Sequence, residues 1–251
     1  GLCYAGDDSG PTAYIDTVDY ITMASTGNAT DFGNSTYDES VGEGFSNQTR
    51  GGRGGGFTGG PNAFDSNVID YVTISSTGNS SDCGDLTSAR YGNTGLSSPT
   101  RAISGGGASY PGTTVYQNIM DYITIASTGN STDFGDILQA GDNMAASASS
   151  TRGVFTGGVV SAPNPQNVMQ YITIASTGNS QDFGDLVTAQ RTSGGNSNNT
   201  TGITMGGLAP GLVNTVEEFT IATTGNAADF GDLVAIKGET SGVSNGHGGL
   251  S

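Results

Sequence analysis

Apolar and polar residues alternate along short stretches, and one such stretch returns through the whole chain. Residues 122–127 read YITIAS: Tyr122 and Thr124 point one way, Ile123 and Ile125 the other. A period of two is that of a strand, and the small or apolar residues on both faces suit a sheet packed between two others. The full phrase runs from Tyr20 as YITMASTGNATDFGN and from Tyr71 as YVTISSTGNSSDCGD. It returns from Tyr122 as YITIASTGNSTDFGD, from Tyr171 as YITIASTGNSQDFGD and from Glu218 as EFTIATTGNAADFGD. Its turn glycines, Gly27, Gly78, Gly129, Gly178 and Gly225, are spaced 51, 51, 49 and 47 residues apart. STGN reads as a turn, with a second strand starting at DFG. Phe32, Phe134, Phe183 and Phe230 are expected core anchors, with Cys83 at that position in the second unit.

Between the copies lies another phrase: an Arg or Thr, a short apolar alternation, then paired glycines. Arg101 opens RAISGGG, Arg152 opens RGVFTGG, Thr201 opens TGITMGG, and Arg50 opens a degenerate RGGRGGG. The segment from Tyr91 to Ser97 is predicted as a further strand, followed by a Ser-Pro-Thr turn. Four short strands in about 50 residues, five times over, predict an all-β, five-bladed propeller of four-stranded antiparallel blades. One such domain takes up residues 1–251. The N-terminal GLCYAG matches the paired-Gly phrase, and the C-terminal GGLS matches TGLS at Thr94–Ser97. The two ends are thus expected to share one blade and close the ring, removing free edges.

In these phrases the chain resembles kelch repeats: Arg90, Gly105-Gly106, Tyr122 and Phe134 follow the kelch order of Arg, paired Gly, Tyr and a bulky aromatic. It departs in having Phe where Trp is common and Glu218 in place of the last Tyr. The wording YITIASTGNxxDFGDL resembles repeats in predicted virion structural proteins of marine tailed bacteriophages, especially cyanophages. That resemblance covers nearly the whole chain. It implies a tail-fibre or other appendage protein, located on the virion surface, with host-surface glycan or protein and other virion proteins as partners.

Charge narrows the partners. Among 251 residues, 23 are acidic and 7 basic, a formal net charge of -16. Such a field repels nucleic-acid phosphates and anionic lipid, so nucleic-acid binding is not expected. No apolar stretch approaches the ~18 residues of a membrane helix, so no membrane insertion is expected. No secretory signal is visible. The chain begins at Gly1 rather than Met, as expected of a processed or excised part of a longer protein.

Catalytic chemistry is thinly supplied. His247 is the one histidine and Lys237 the one lysine. A Ser-His-Asp arrangement would have to use His247, which falls in the expected closing strand. Kelch-like copper oxidase chemistry would need two His ligands. Acids are numerous but recur in every unit, whereas a catalytic pair breaks such symmetry. The chain is therefore read as non-enzymatic, with no cofactor. Asn130, Asp133 and Asp136 have oxygen ligands at short spacing and are weak candidates for Ca²⁺. Asx turns and strand-end hydrogen bonds are the alternative use of the same residues. Cys3 and Cys83 stand where other units have Phe155 and Phe134, so both are expected as buried free thiols rather than a bridge.

The connections after the paired glycines differ in every unit, unlike the STGN turns: DDSGPTAY, FTGGPNAFDS, ASYPGTTVY, VVSAPNPQ and LAPGLV. Variable loops on a rigid frame are where recognition resides. Phe64, Tyr110 and Tyr116 are the candidate ligand-binding aromatics, joined on the same face by Tyr37 and Tyr91. The function expected is a non-enzymatic virion appendage domain recognising a host surface or glycan. The alternatives are a structural decoration or assembly module of a virion and a cellular kelch-type protein-interaction scaffold.

Overall fold

In a computed structural model, residues 1–7, 14–58, 64–110, 112–161 and 164–242 are described. They form a five-bladed β-propeller of antiparallel blades with no helix among the described residues. Blade 1 holds Leu2–Asp7, Tyr14–Tyr20 and Thr30–Asn34. Blade 2 runs Glu43–Ser46, Arg50–Thr58, Asp65–Thr73 and Ser81–Asp85, with Glu39–Ser40 added beside the far end of its second strand. Blade 3 runs Thr94–Ser97, Arg101–Gly105, Ile119–Thr124 and Thr132–Asp136. Blade 4 runs Ala145–Ala148, Arg152–Thr156, Asn164–Thr173 and Gln181–Gln190. Blade 5 runs Gly194–Ser197, Thr201–Met205, Gly211–Thr220 and Ala228–Lys237. The expected closing strand at Gly248–Ser251, and His247 with it, lies outside the described residues.

Each blade is a meander. The register places Arg101 opposite Thr124 and Ser104 opposite Asp121, and the third and fourth strands pair across the STGN turn. First strands of neighbouring blades touch one another: the Ser97 hydroxyl bonds the Ser46 carbonyl, and the Ser147 hydroxyl bonds the Asn196 carbonyl. These strands therefore line the axis. Tyr91 itself is not in its predicted strand, which begins at Thr94; it forms an isolated bridge with Ala108.

Four apolar layers fill the junctions between consecutive blades. The layer between blades 3 and 4 holds Met120, Phe134, Ile137, Ile172 and Ile174. Counterparts occur between blades 2 and 3 around Ile69, Cys83, Leu86, Ile123 and Ile125, and between blades 4 and 5 around Met169, Phe183, Leu186, Phe219 and Ile221. A smaller layer of Val18, Phe32 and Val72 joins blades 1 and 2. Burying each such side chain contributes about 1.5–3 kcal/mol.

The polar repeat residues stitch the same junctions. The turn glycine of one blade donates its N–H to the carbonyl at the Phe position of the preceding blade: Gly78 to Phe32, Gly129 to Cys83, Gly178 to Phe134 and Gly225 to Phe183, at 2.6–2.7 Å. The following Asn accepts from the earlier blade, as Asn130 Oδ1 does from Asp85 N at 3.2 Å. Arginines clamp from the other direction. Arg101 lies over the Tyr122 ring at 4.6 Å and donates to the Ile174 carbonyl of blade 4. Arg50 and Arg152 do the same on Tyr71 with Ile125 and on Tyr171 with Ile221. The recurring Arg, Tyr and turn Gly are thus parts of one inter-blade fastening.

Two expectations are corrected. Phe230 is 63% exposed, not a core anchor, because no blade covers it among the described residues. Cys3 is exposed, although Cys83 is buried; both are free thiols. Cys3 lies opposite Asp19 on the outermost strand of a sheet that has three strands among the described residues.

Glycine at the DFG position allows the stitch. At Gly135, φ is +136° and a Cβ would meet the Gly178 carbonyl carbon at 2.6 Å. At Gly231, φ is +142° but nothing lies within 4 Å. Both sites carry the same backbone strain on substitution, so their difference isolates the junction. Gly135→Ala should be less stable than Gly231→Ala by about 1–3 kcal/mol in urea denaturation. Equal losses would mean that the blades do not approach this closely.

Candidate functional site: an aromatic and acidic patch at the loop end

Blade topology separates two ends. The STGN turns occupy one end, where the glycine and asparagine of blades 2 to 5 are committed to the blade junctions. This accounts for their near invariance. Asn130 Oδ1 accepts from Asp85, Asp133 Oδ1 accepts from Gly135 N at 3.2 Å, and Asp136 N donates to Asn179 Oδ1 at 3.0 Å. The Asn130 and Asp133 side chains thus serve the backbone, and no cluster of three His, Cys, Asp or Glu side chains occurs among the described residues.

At the other end, the paired glycines turn the chain back against the connection entering the same blade. Gly106 and Gly107 have φ of +64° and +105°. Just beyond them, Ala108 exchanges both backbone hydrogen bonds with Tyr91, at 2.8 and 2.9 Å. Ala108 also faces Tyr116 across the short pair Ala108–Ser109 and Val115–Tyr116. Tyr91 and Tyr116 are therefore held on one platform.

Blade 2 completes that platform. The Phe57 and Tyr91 rings meet edge to face, with centroids 5.6 Å apart. Asp65 Oδ2 accepts from Tyr110 N at 2.6 Å, tying the blade 3 loop to the blade 2 loop. Phe64, next to Asp65, is fixed by two hydrogen bonds with the Thr58 hydroxyl. Phe64 and Tyr110 are 57% and 56% exposed. Tyr37 is also exposed, but no hydrogen bond or ring contact joins it to this group; its carbonyl accepts from the Ser35 hydroxyl. Four of the five predicted aromatics are thus brought to one region and the fifth is left apart. Much of the predicted loops (residues 8–13, 59–63, 111 and 162–163) lies outside the described residues.

The patch includes two acids that sequence reasoning missed. Burial raises the Tyr91 hydroxyl above the usual tyrosine range, opposed by a hydrogen bond with Thr114; Asp142 and Asp65 push it further up. Burial likewise pushes the Asp142 carboxyl up to about 6, against hydrogen bonding with Asn143. Asp65 Oδ1 and Asp142 Oδ1 are buried and have no hydrogen-bond partner among the described residues. A buried acceptor without a donor is costly, about 1–3 kcal/mol, which makes both oxygens candidates for a ligand's hydroxyl or amide. Asp65 directly follows Phe64 in the sequence, whereas nothing beside Asp142 marked it.

A second group of missed residues lies inside blades 2 and 3. Arg90 and Asp121 form a fully buried ion pair at 2.8 Å, and Arg90 also donates to the Ser104 hydroxyl. Arg53 pairs with Glu39, which accepts from Ser66. Glu43 lies near Arg90 and Asn93, and burial pushes its carboxyl up to about 8. Units 4 and 5 place Phe155 and Thr204 where Arg53 and Ser104 stand, while blade 5 keeps a buried acid, Glu217, opposite Thr204.

No protein-family model and no curated protein sequence matches the chain. Among solved structures it is similar to that of YjhT, with a TM-score of 0.73 over 95% of this chain and 85% of that one, at 8% identity. The likeness is one of fold. It supports the propeller architecture and carries no residue of the patch with it.

The buried acids set a pH dependence. Glu43 in the folded chain holds its proton up to about pH 8, while the unfolded chain releases it near the ordinary Glu value. Stability is then full below that ordinary value and is lost as pH rises towards 8, by up to about 1.4 kcal/mol per pH unit for one proton. Urea unfolding at pH 5, 6.5 and 8 should show this fall, and Glu43→Gln should flatten it. An unchanged slope in Glu43→Gln would remove Glu43 from the account.

Proposed function

We propose that the chain is a non-enzymatic recognition domain whose loop-end patch binds a neutral glycan on a host surface. The observation that carries this is the convergence of Tyr91, Tyr110 and Tyr116 with two acids whose buried oxygens lack partners among the described residues. Aromatic faces cover the apolar faces of sugar rings, and carboxylates accept sugar hydroxyls. Tyrosine presents this area at small entropic cost. The net charge of -16 disfavours an anionic polysaccharide. The resemblance of the repeat wording to phage virion proteins supports placing the domain on a virion appendage, with other virion proteins as its fixed partners.

A second reading, a virion assembly module, is favoured by one observation: large apolar side chains exposed on blades 1 and 5, away from the patch.

The test is binding of the purified chain to an array of neutral glycans, followed by titration of the best ligand. Tyr110→Ala and Asp65→Asn should each weaken binding about tenfold or more, equivalent to at least ~1.4 kcal/mol, with the thermal midpoint of Tyr110→Ala unchanged. A blank array, or undiminished binding by both variants, would contradict recognition through this patch.

A further inference from the structure

The junction between blades 2 and 3 differs inside from the one that follows it. Between blades 3 and 4 the polar side chains meet directly. The Ser180 hydroxyl donates to Gln170 Oε1 at 2.7 Å, and Leu138 N donates to both side chains. Between blades 2 and 3 the same repeat positions hold Ser131, Asp121 and Thr87. Asp121 is one methylene shorter than Gln170, and both of its oxygens are engaged elsewhere. The Thr87 hydroxyl donates to Oδ1, while Thr87 N and Arg90 Nη1 reach Oδ2. The Ser131 hydroxyl is buried and meets no partner among the described residues.

A cavity of about 10 Å³ lies at this place, and every residue lining it is described. Ser131, Asp121, Ser104 and Glu43 form its polar wall, and apolar side chains of both blades close the rest. Glu43 reaches it from the first strand of blade 2 and is 8% exposed. Its Oε2 is a second buried atom without a partner among the described residues. Two orphaned polar groups, one from each blade, therefore line one small cavity. Leaving either unpaired is costly. A polar cavity of about 10–15 Å³ is the smallest that admits a water, and a buried water makes about two to four hydrogen bonds.

We propose that this cavity is a binding site for a single water molecule, held between the Ser131 hydroxyl and the carboxyls of Glu43 and Asp121. The water does for blades 2 and 3 what the direct Ser180–Gln170 bond does for blades 3 and 4. The wall defines the class of guest. Arg90 balances Asp121 in a buried ion pair. Glu43, whose carboxyl burial pushes up to about 8, keeps its proton at neutral pH. The site thus has no net charge to draw a cation, and its size excludes anything larger than water. It asks for a neutral guest that both donates and accepts. This water is a fixed part of the ring, seated in the junction whose loops carry the aromatic patch.

A crystal structure of the full chain at atomic resolution tests this, with oxygen-17 relaxation dispersion as a second measurement that counts long-lived buried waters. The wild type should show one peak in the cavity, about 2.7–3.2 Å from Ser131 Oγ and from an oxygen of Glu43 or Asp121. Ser131→Val puts methyl groups in its place. That variant should keep the fold, because blade 5 has a buried apolar residue, Ala227, at the same position. It should lose the peak, and its dispersion should report one long-lived water fewer. An empty cavity in the wild type, a Ser131 hydroxyl bonded directly to either carboxyl, or a guest at the shorter distances of a metal ion, about 2.3–2.6 Å, would each overturn the proposal. Equal water counts in the two proteins would do the same. If Ser131→Val fails to fold, the wild-type map alone decides.

Discussion

Everything in this propeller depends on one close approach: the turn glycine of each of blades 2 to 5 set against the backbone of the blade before it. The N–H···O bond is short because neither residue at the crossing carries a Cβ, as at Gly135 and Gly178. That approach draws the sheets together so that small apolar side chains meet in thin layers. A chain with 33% apolar residues has no single large core; it has four shallow layers, each sealed by the same polar stitch. The arginine clamp works at the same joint, since its guanidinium covers a tyrosine in its own blade and reaches a carbonyl in the next.

The fold was legible because this joint repeats. YITIAS alternation gives the strand, STGN the turn, and the interval of about 50 residues the blade. The parts that misled are those where the repeat is kept in letters but not in surroundings. Phe230 reads like Phe183, yet burial is a property of the neighbouring blade, which the local phrase does not encode. Cys3 reads like Phe155 and is exposed for a similar reason: its strand pairs on one side only among the described residues. Asn130 and Asp133 have a second use that their spacing does not reveal: Asn130 Oδ1 accepts from Asp85 N and Asp133 Oδ1 from Gly135 N.

The patch was half legible. Tyr91, Tyr110 and Tyr116 stand out as aromatics in variable loops, and the bridge from Tyr91 to Ala108 brings them together. Asp65 and Asp142 did not stand out, because nothing in an acidic chain distinguishes one Asp from another until its burial is known. The same holds for Glu43, Arg90 and Asp121, whose pairing depends on contacts between residues tens of positions apart. The buried arginine–acid pairs around blades 2 and 3 and the aromatics of their loops break the fivefold pattern in the same units. This concentrates individuality where a ligand is proposed to bind, and leaves the rest of the ring as scaffold.

The most direct measurement of the central claim is amide hydrogen exchange of the full chain in dilute solution, resolved at the five turn glycines. The account predicts strong protection of Gly78, Gly129, Gly178 and Gly225, whose N–H groups are bonded across junctions, and fast exchange of Gly27, whose partner carbonyl at Phe230 is left open. Equal protection at all five would show that the fifth junction is stitched like the others and would contradict the account.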